Sequence, residues 1–140
     1  MLVNFMPDYM AIIKQIAIEK FAWDYEAVVE GEPASKSNSR QMVKIRNRLV
    51  PIKSKKALAY KDSFERLAPT IDPLIEGDLI LFCHIYYATR RPDLDESLIM
   101  DCLEGKAYRN DRQVKAKLIL HGVDKANPRI IVKATGIAGG

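Results

Sequence analysis

Carboxylate and guanidinium groups are concentrated in one short part of this sequence, residues 90–113. Two motifs within it, at 90–95 and 107–113, hold three aspartates and four arginines: Asp93, Asp95, Asp111, Arg90, Arg91, Arg109 and Arg112. Carboxylate oxygens are the ligands that a hard cation such as Mg²⁺ prefers. Arginines bind phosphate oxygens with two parallel hydrogen bonds. The combination predicts a site that hydrolyses a phosphodiester with the help of a metal ion.

The first two aspartates are two residues apart and follow the most apolar run of the chain. In an extended segment Asp93 and Asp95 point the same way, and Pro92 disfavours helical geometry just before them. A chain reversal after Gly105 would return Asp111 towards this pair, so that the three carboxylates share a cation. The alternative is structural: Asp93 ends a turn, Asp95 caps the next helix, and Asp111 lies in an exposed loop.

Positive charge is concentrated upstream of these aspartates. From Lys36 to Arg66 there are ten basic and two acidic side chains, whereas the whole chain carries a net charge of +4. The remainder of the chain is therefore net acidic. Such segregation predicts a polyanionic partner. A solvated basic face without a partner is the alternative.

Length and composition indicate a single soluble α/β domain over residues 1–140. No run is long and apolar enough to cross a membrane, and no signal peptide is apparent. Cys83 and Cys102 do not define a disulfide framework, so we expect buried free thiols and a cytoplasmic location.

Hydrophobic periodicity predicts a mixed β-sheet with two helices packed on it, plus an N-terminal helical extension over residues 1–20. The run from Leu79 to Thr89 reads as a central strand that is buried on both faces. Ser54 is a candidate N-cap. The other predicted elements are a strand over 21–29, a hairpin over 42–46 and 49–52 with Asn47 near its tip, helices over 54–67 and 96–103, and strands over 114–123 and 129–135.

Several motifs in order resemble the RusA family of Holliday-junction resolvases. They are Arg-Arg-Pro-Asp-Leu-Asp at 90–95, Leu-Glu-Gly at 103–105 and Ala-Tyr-Arg-Asn-Asp-Arg-Gln-Val at 107–114. The likeness extends upstream to residues 31–40 and 51–60 and covers roughly residues 25–132.

The resemblance implies a small homodimeric endonuclease that uses Mg²⁺, or Mn²⁺ in its place, to cut four-way DNA junctions with paired nicks. Such enzymes act in recombination and repair in the bacterial cytoplasm and are often carried by phages. The family's catalytic, metal-binding aspartates correspond to Asp93, Asp95 and Asp111. The expected DNA-binding residues are Lys36, Arg40, Lys44, Lys53, Lys55, Lys56, Arg90, Arg91, Arg109 and Arg112.

The sequence departs from the family pattern in two places. Glu96 stands where an asparagine is usual, and Ser97-Leu98-Ile99 offers no lysine where the family has one. Asn110 stands where an acidic residue is frequent. Arg91, Arg109 and Arg112 are the nearest cations that could replace the lysine. Two other functions therefore stay open: a junction-binding protein that no longer cuts, and a nuclease that acts on flaps or replication forks.

Overall fold

The computed structural model describes residues 22–34, 40–90 and 96–137. In chain order the elements are β1 (Tyr25–Glu30), β2 (Arg40–Ile45), β3 (Arg48–Lys53), α1 (Lys55–Leu67), β4 (Leu79–Tyr87), α2 (Ser97–Leu103), a 3₁₀ turn (Asp111–Gln113), β5 (Val114–Val123) and β6 (Arg129–Gly136). The predicted N-terminal helix lies outside the described residues. No helix within them is long and apolar enough to span a bilayer.

Four strands form one mixed sheet in the order β1-β6-β4-β5. β4 pairs with β5 in parallel and with β6 in antiparallel orientation. The prediction of a central strand is confirmed, because β4 has a neighbour on each side. The parallel pair requires a crossover, and α2 lies in it.

The hairpin β2–β3 forms a separate two-stranded sheet. Its turn consists of Arg46 and Asn47, whose φ angles are 50° and 63°. Asn47 lies in the turn as predicted, whereas Arg46, predicted as the last residue of the first strand, also belongs to the turn. Sequence periodicity gave no sign that this hairpin stays apart from the main sheet, because the period within a strand carries no information on its partner.

β1 begins later than the sequence predicts. Trp23 precedes the strand, and its ring packs against Phe82 at a centroid separation of 6.3 Å. The pairing of β1 with β6 begins only at Tyr25. Before it, the Gly136 N–H donates to the Asp24 side-chain carboxylate at 2.9 Å instead of to a backbone carbonyl of β1. Residue 21 lies outside the described residues.

Both helices pack on one face of the main sheet. α1 contributes Ala57, Tyr60 and Phe64 to the core, and α2 contributes Leu98, Ile99, Cys102 and Leu103. From β4 come the alternate residues Leu79, Leu81, Cys83, Ile85 and Tyr87. Cys83 and Cys102 are buried free thiols, as predicted. Burial raises the pKa of the Cys102 thiol to about 12, so it is protonated and unreactive at neutral pH.

A buried lysine closes the carboxyl end of α1. The Lys106 side chain is only 5% exposed. Its ammonium donates to the Glu65 carbonyl at 3.0 Å and to the Ala68 carbonyl at 2.9 Å. It therefore satisfies helix carbonyls that have no partner inside the helix, and it complements the negative end of the helix dipole.

We expect Lys106→Met to lower the free energy of unfolding by about 2–3 kcal/mol, since hydrogen bonds from a charged donor are lost and their carbonyl acceptors stay buried. Urea denaturation measures this effect. Lys125→Met, at an exposed lysine in the turn before β6, is the control and should change stability by less than about 0.5 kcal/mol. Equal denaturation midpoints for the two variants would contradict this role for Lys106.

Candidate active site and nucleic-acid interface

Asp111 lies on a short segment that the core fixes from both sides. α2 ends at Leu103, and Gly105 adopts a φ of +85°, which permits the chain reversal. Tyr108 follows and is fully buried, and its hydroxyl donates to the Met100 carbonyl at 2.9 Å. The reversal predicted after Gly105 is therefore present, and the Ala-Tyr pair anchors it.

The 3₁₀ turn that carries Asp111 is held by its two polar neighbours. The Asn110 side chain accepts from the Arg112 N–H at 2.9 Å, and the Gln113 side chain accepts from the Asn110 N–H at 3.1 Å. The Gln113 amide also donates to the carbonyls of Ile75 at 2.9 Å and Gly77 at 2.8 Å. Asn110 therefore caps the turn, so the uncharged residue at this position has a structural role.

The Asp111 carboxylate is half-buried and has no hydrogen-bond donor or ion-pair partner among the described residues. Its backbone N–H donates to the Glu104 carboxylate at 2.9 Å. Burial raises the pKa of the nearby Tyr108, and the negative charges of Asp111, Glu104 and Asp101 raise it further. A rigidly placed carboxylate whose oxygens have no other partner is suited to bind a cation.

Asp93 and Asp95 lie outside the described residues. Across the residues that the structure describes, no three acidic, histidine or cysteine side chains come together as a metal site. The three-aspartate cation site thus stays a prediction, with the position of Asp111 established.

The end of β4 is fixed by a residue that sequence reasoning did not single out. The Glu32 carboxylate accepts from the Ala88 N–H at 2.7 Å. Next to it, Gly31 has a φ of +108°, and its N–H donates to the Pro128 carbonyl at 2.9 Å. The Gly-Glu-Pro motif therefore positions the point at which the chain leaves β4 towards residues 90–95.

An ion pair brings the start of α2 back along the sheet. The Glu96 carboxylate contacts the Lys117 ammonium. Lys117 lies opposite Leu81, six residues before Tyr87 in β4, which is a distance of about 20 Å along a strand. Glu96 therefore lies over the half of the sheet at which Asp111 and β5 begin.

The structure separates the predicted DNA-binding residues into groups. Arg40 and Lys44 are exposed on the hairpin, and Lys55 and Lys56 are exposed in the first turn of α1. Two lysines at the amino end of a helix oppose its dipole unless an anion binds there. Arg109 and Arg112 are exposed beside Asp111, and Arg90 is exposed three residues beyond the end of β4, whereas Lys36 and Arg91 lie outside the described residues.

Lys53 joins the basic hairpin to the candidate site. Its ammonium lies 3.2 Å from the Asp101 carboxylate of α2, and both side chains are about one-third exposed or less. Asp101 lies near Tyr108, the residue that anchors the segment of Asp111. The basic surface and the candidate catalytic segment are therefore neighbours in the fold.

The model of a protein family described as Endodeoxyribonuclease RusA matches residues 30–135. This match covers more than half of the chain. The chain belongs to the RusA endodeoxyribonuclease family. A comparison with curated proteins gives no match.

The matched residues run from the last residue of β1 to near the end of β6, so the RusA region includes three of the four strands of the main sheet, the hairpin and both helices. The family confirms the resemblance to junction-resolving endonucleases. RusA nucleases are generally dependent on divalent metals, which agrees with the open carboxylate of Asp111. At the place where the family lysine is missing, Ile99 is fully buried. A cation does reach the start of α2, but it comes from β5: the Lys117 ammonium contacts the Glu96 carboxylate there.

Proposed function

We propose that this chain is a Mg²⁺-dependent endonuclease that resolves four-way DNA junctions by paired nicks, during recombination and repair in the bacterial cytoplasm. The observation that carries the proposal is the Asp111 carboxylate, which is fixed by a capped turn and has no partner among the described residues. Family membership and the adjacent basic hairpin support it.

We assign Asp93, Asp95 and Asp111 as the ligands of Mg²⁺, with Mn²⁺ able to substitute. Glu96 lies near the start of β5, because its carboxylate pairs with Lys117. Asp95 is the preceding residue, and consecutive Cα atoms are 3.8 Å apart, so its backbone lies near the same place. The same strand begins three residues after Asp111. Both observations favour convergence of the aspartates. A bound cation there supplies an activated water and stabilises charge on the phosphate.

The basic residues of the chain bind the DNA backbone in this proposal. Arg40, Lys44, Lys55 and Lys56 contact phosphates without reading sequence. Arg109 and Arg112 flank Asp111 and orient the phosphate to be cut. Lys117 takes the place of the family lysine and stabilises negative charge that develops on the phosphate.

We propose that the active unit is a homodimer, because a four-way junction has two-fold symmetry and two strands must be cut. Each protomer then makes one nick. Sedimentation equilibrium should give twice the mass of one chain.

Incubation of the wild-type protein with a synthetic four-way junction tests the function. We expect paired nicks in Mg²⁺ or Mn²⁺, none in EDTA, and no cutting of a linear duplex of the same length. A protein that shifts the junction in a gel and leaves it intact in Mg²⁺ would be a non-catalytic junction binder. Faster cutting of flap or forked DNA than of the junction would assign it to the flap and fork nucleases.

A further inference from the structure

The hairpin β2–β3 has one face that combines positive charge with exposed apolar side chains. Side chains alternate between faces along a strand, and residues paired across the two strands share a face. The pairs are Arg40 with Lys53, Met42 with Pro51, and Lys44 with Leu49. We call these six residues the ribbon face. The opposite face carries the pairs of Gln41 with Ile52, Val43 with Val50, and Ile45 with Arg48.

The apolar centre of the ribbon face is open to solvent. Met42 is 58% exposed and Leu49 is 70% exposed, whereas Val43 and Val50 at the centre of the opposite face are half-buried. A hairpin on its own is only marginally stable in water, so apolar residues that face solvent do not stabilise it. Contiguous exposed apolar surface of this kind indicates a binding surface.

One of the two turn residues of the hairpin, Arg46, is unusual at its position, whereas Asn47 is a preferred turn residue. Arg46 has a φ of 50°, a left-handed conformation that is unfavourable for a residue with a long side chain, and glycine or asparagine is preferred there. Backbone strain of this kind occurs at binding segments more often than elsewhere. The turn keeps a guanidinium group at the end of the hairpin.

Charge on the ribbon face identifies the class of partner. Arg40 lies directly across from Lys53, and the Lys53 ammonium is already paired with the Asp101 carboxylate. Arg40 and Lys44 are exposed on this face, so they are the cations that an anionic partner would meet. Basic side chains thus surround an apolar centre. A DNA duplex offers phosphates to such a surface but keeps its base faces stacked inside. A branch point offers both phosphates and base faces that have lost their stacking neighbours.

We propose that the ribbon face binds the branch point of DNA and gives the protein its preference for junctions over duplex. Arg40 and Lys44 bind phosphates, while Met42 and Leu49 pack against unstacked bases, as apolar side chains do at opened base steps. The Lys53–Asp101 ion pair connects this face to α2, which keeps the recognised branch point close to the candidate active site. This inference rests on the proposed function.

Binding measurements on a double variant, Met42→Ser with Leu49→Ser, test the proposal. We expect the Kd for a four-way junction to rise about tenfold, because two apolar side chains no longer pack against unstacked bases. The Kd for a duplex of equal length should change less than about twofold, since phosphate contacts remain. The matched control is Ile45→Ser with Ile52→Ser on the opposite face, where the side chains are 50% and 37% exposed. The control should leave both Kd values unchanged.

The other outcomes overturn the inference. Equal weakening of junction and duplex binding would make the ribbon face a general DNA contact. Conversion of a dimer to a monomer by the Met42/Leu49 variant alone, seen by sedimentation, would show that a second copy of the chain covers this face. If wild-type protein does not prefer junctions, the proposed function fails; if it does and the double variant keeps that preference, only this inference fails.

Discussion

We expect Asp111→Asn to lower junction cutting by at least about 100-fold, because a neutral amide replaces a negative charge of the proposed cation site. The turn itself should persist, since Asn110 and Gln113 hold it by bonds that do not involve the Asp111 side chain. Junction binding should stay equal or become tighter, because one carboxylate no longer repels the phosphates. Single-turnover cleavage and gel-shift titration in Ca²⁺ measure the two effects separately.

Asp62→Asn is the matched control. Asp62 is exposed on α1 and receives the same chemical change at a distance from the candidate site. It should keep wild-type cutting. Loss of junction binding in Asp111→Asn, or cutting at the wild-type rate, would remove Asp111 from the catalytic set.

The second large effect is expected at Lys117. Lys117→Met should lower the rate of cutting at saturating enzyme by about 100-fold, a typical loss for one group that stabilises transition-state charge. The Kd for the junction should change little, and Lys117→Arg should restore most of the rate, because the positive charge is kept. The pair with Glu96 is partly exposed, at 46% for Lys117 and 21% for Glu96, so its loss should affect stability only slightly.

Two further variants separate a chemical role from a structural one. Glu96→Gln removes the same ion pair and keeps the lysine, so it should retain most activity. Lys115→Met changes an exposed lysine two residues earlier in β5 and should behave as wild type. If Glu96→Gln loses as much activity as Lys117→Met, Lys117 acts only by holding the start of α2.

The elements that the sequence predicts well are those with strong local signals. α1 begins after Ser54, whose side chain accepts from the Ala57 N–H at 3.1 Å, as expected for an N-cap. β4 is the central strand because its apolar residues run without interruption, and α2 ends before Gly105 because that residue adopts a left-handed conformation. In each case the information lies within a few residues of the element.

Contacts that depend on distant parts of the chain were not predictable in this way. The ion pair of Glu96 with Lys117 depends on the parallel register of β4 and β5, and the Glu32 contact with Ala88 joins residues 56 apart. Of the candidate site residues, Asp111 was predicted because it stands in an ordered set of motifs, and its role in binding a cation stays a prediction. Lys117 stands in no motif, and only the fold brings it to the start of α2.

Gln113 has a consequence for evolution and engineering of this protein. Its amide uses both of its polar atoms on four backbone groups, the N–H groups of Arg109 and Asn110 and the carbonyls of Ile75 and Gly77. No other side chain has the same length with both a donor and an acceptor group at its end. Asp111 can therefore be substituted while the backbone around it keeps its conformation. A substitution of Gln113 would disrupt that backbone. Designers who wish to alter the cation preference should vary the carboxylates and leave the glutamine as it is.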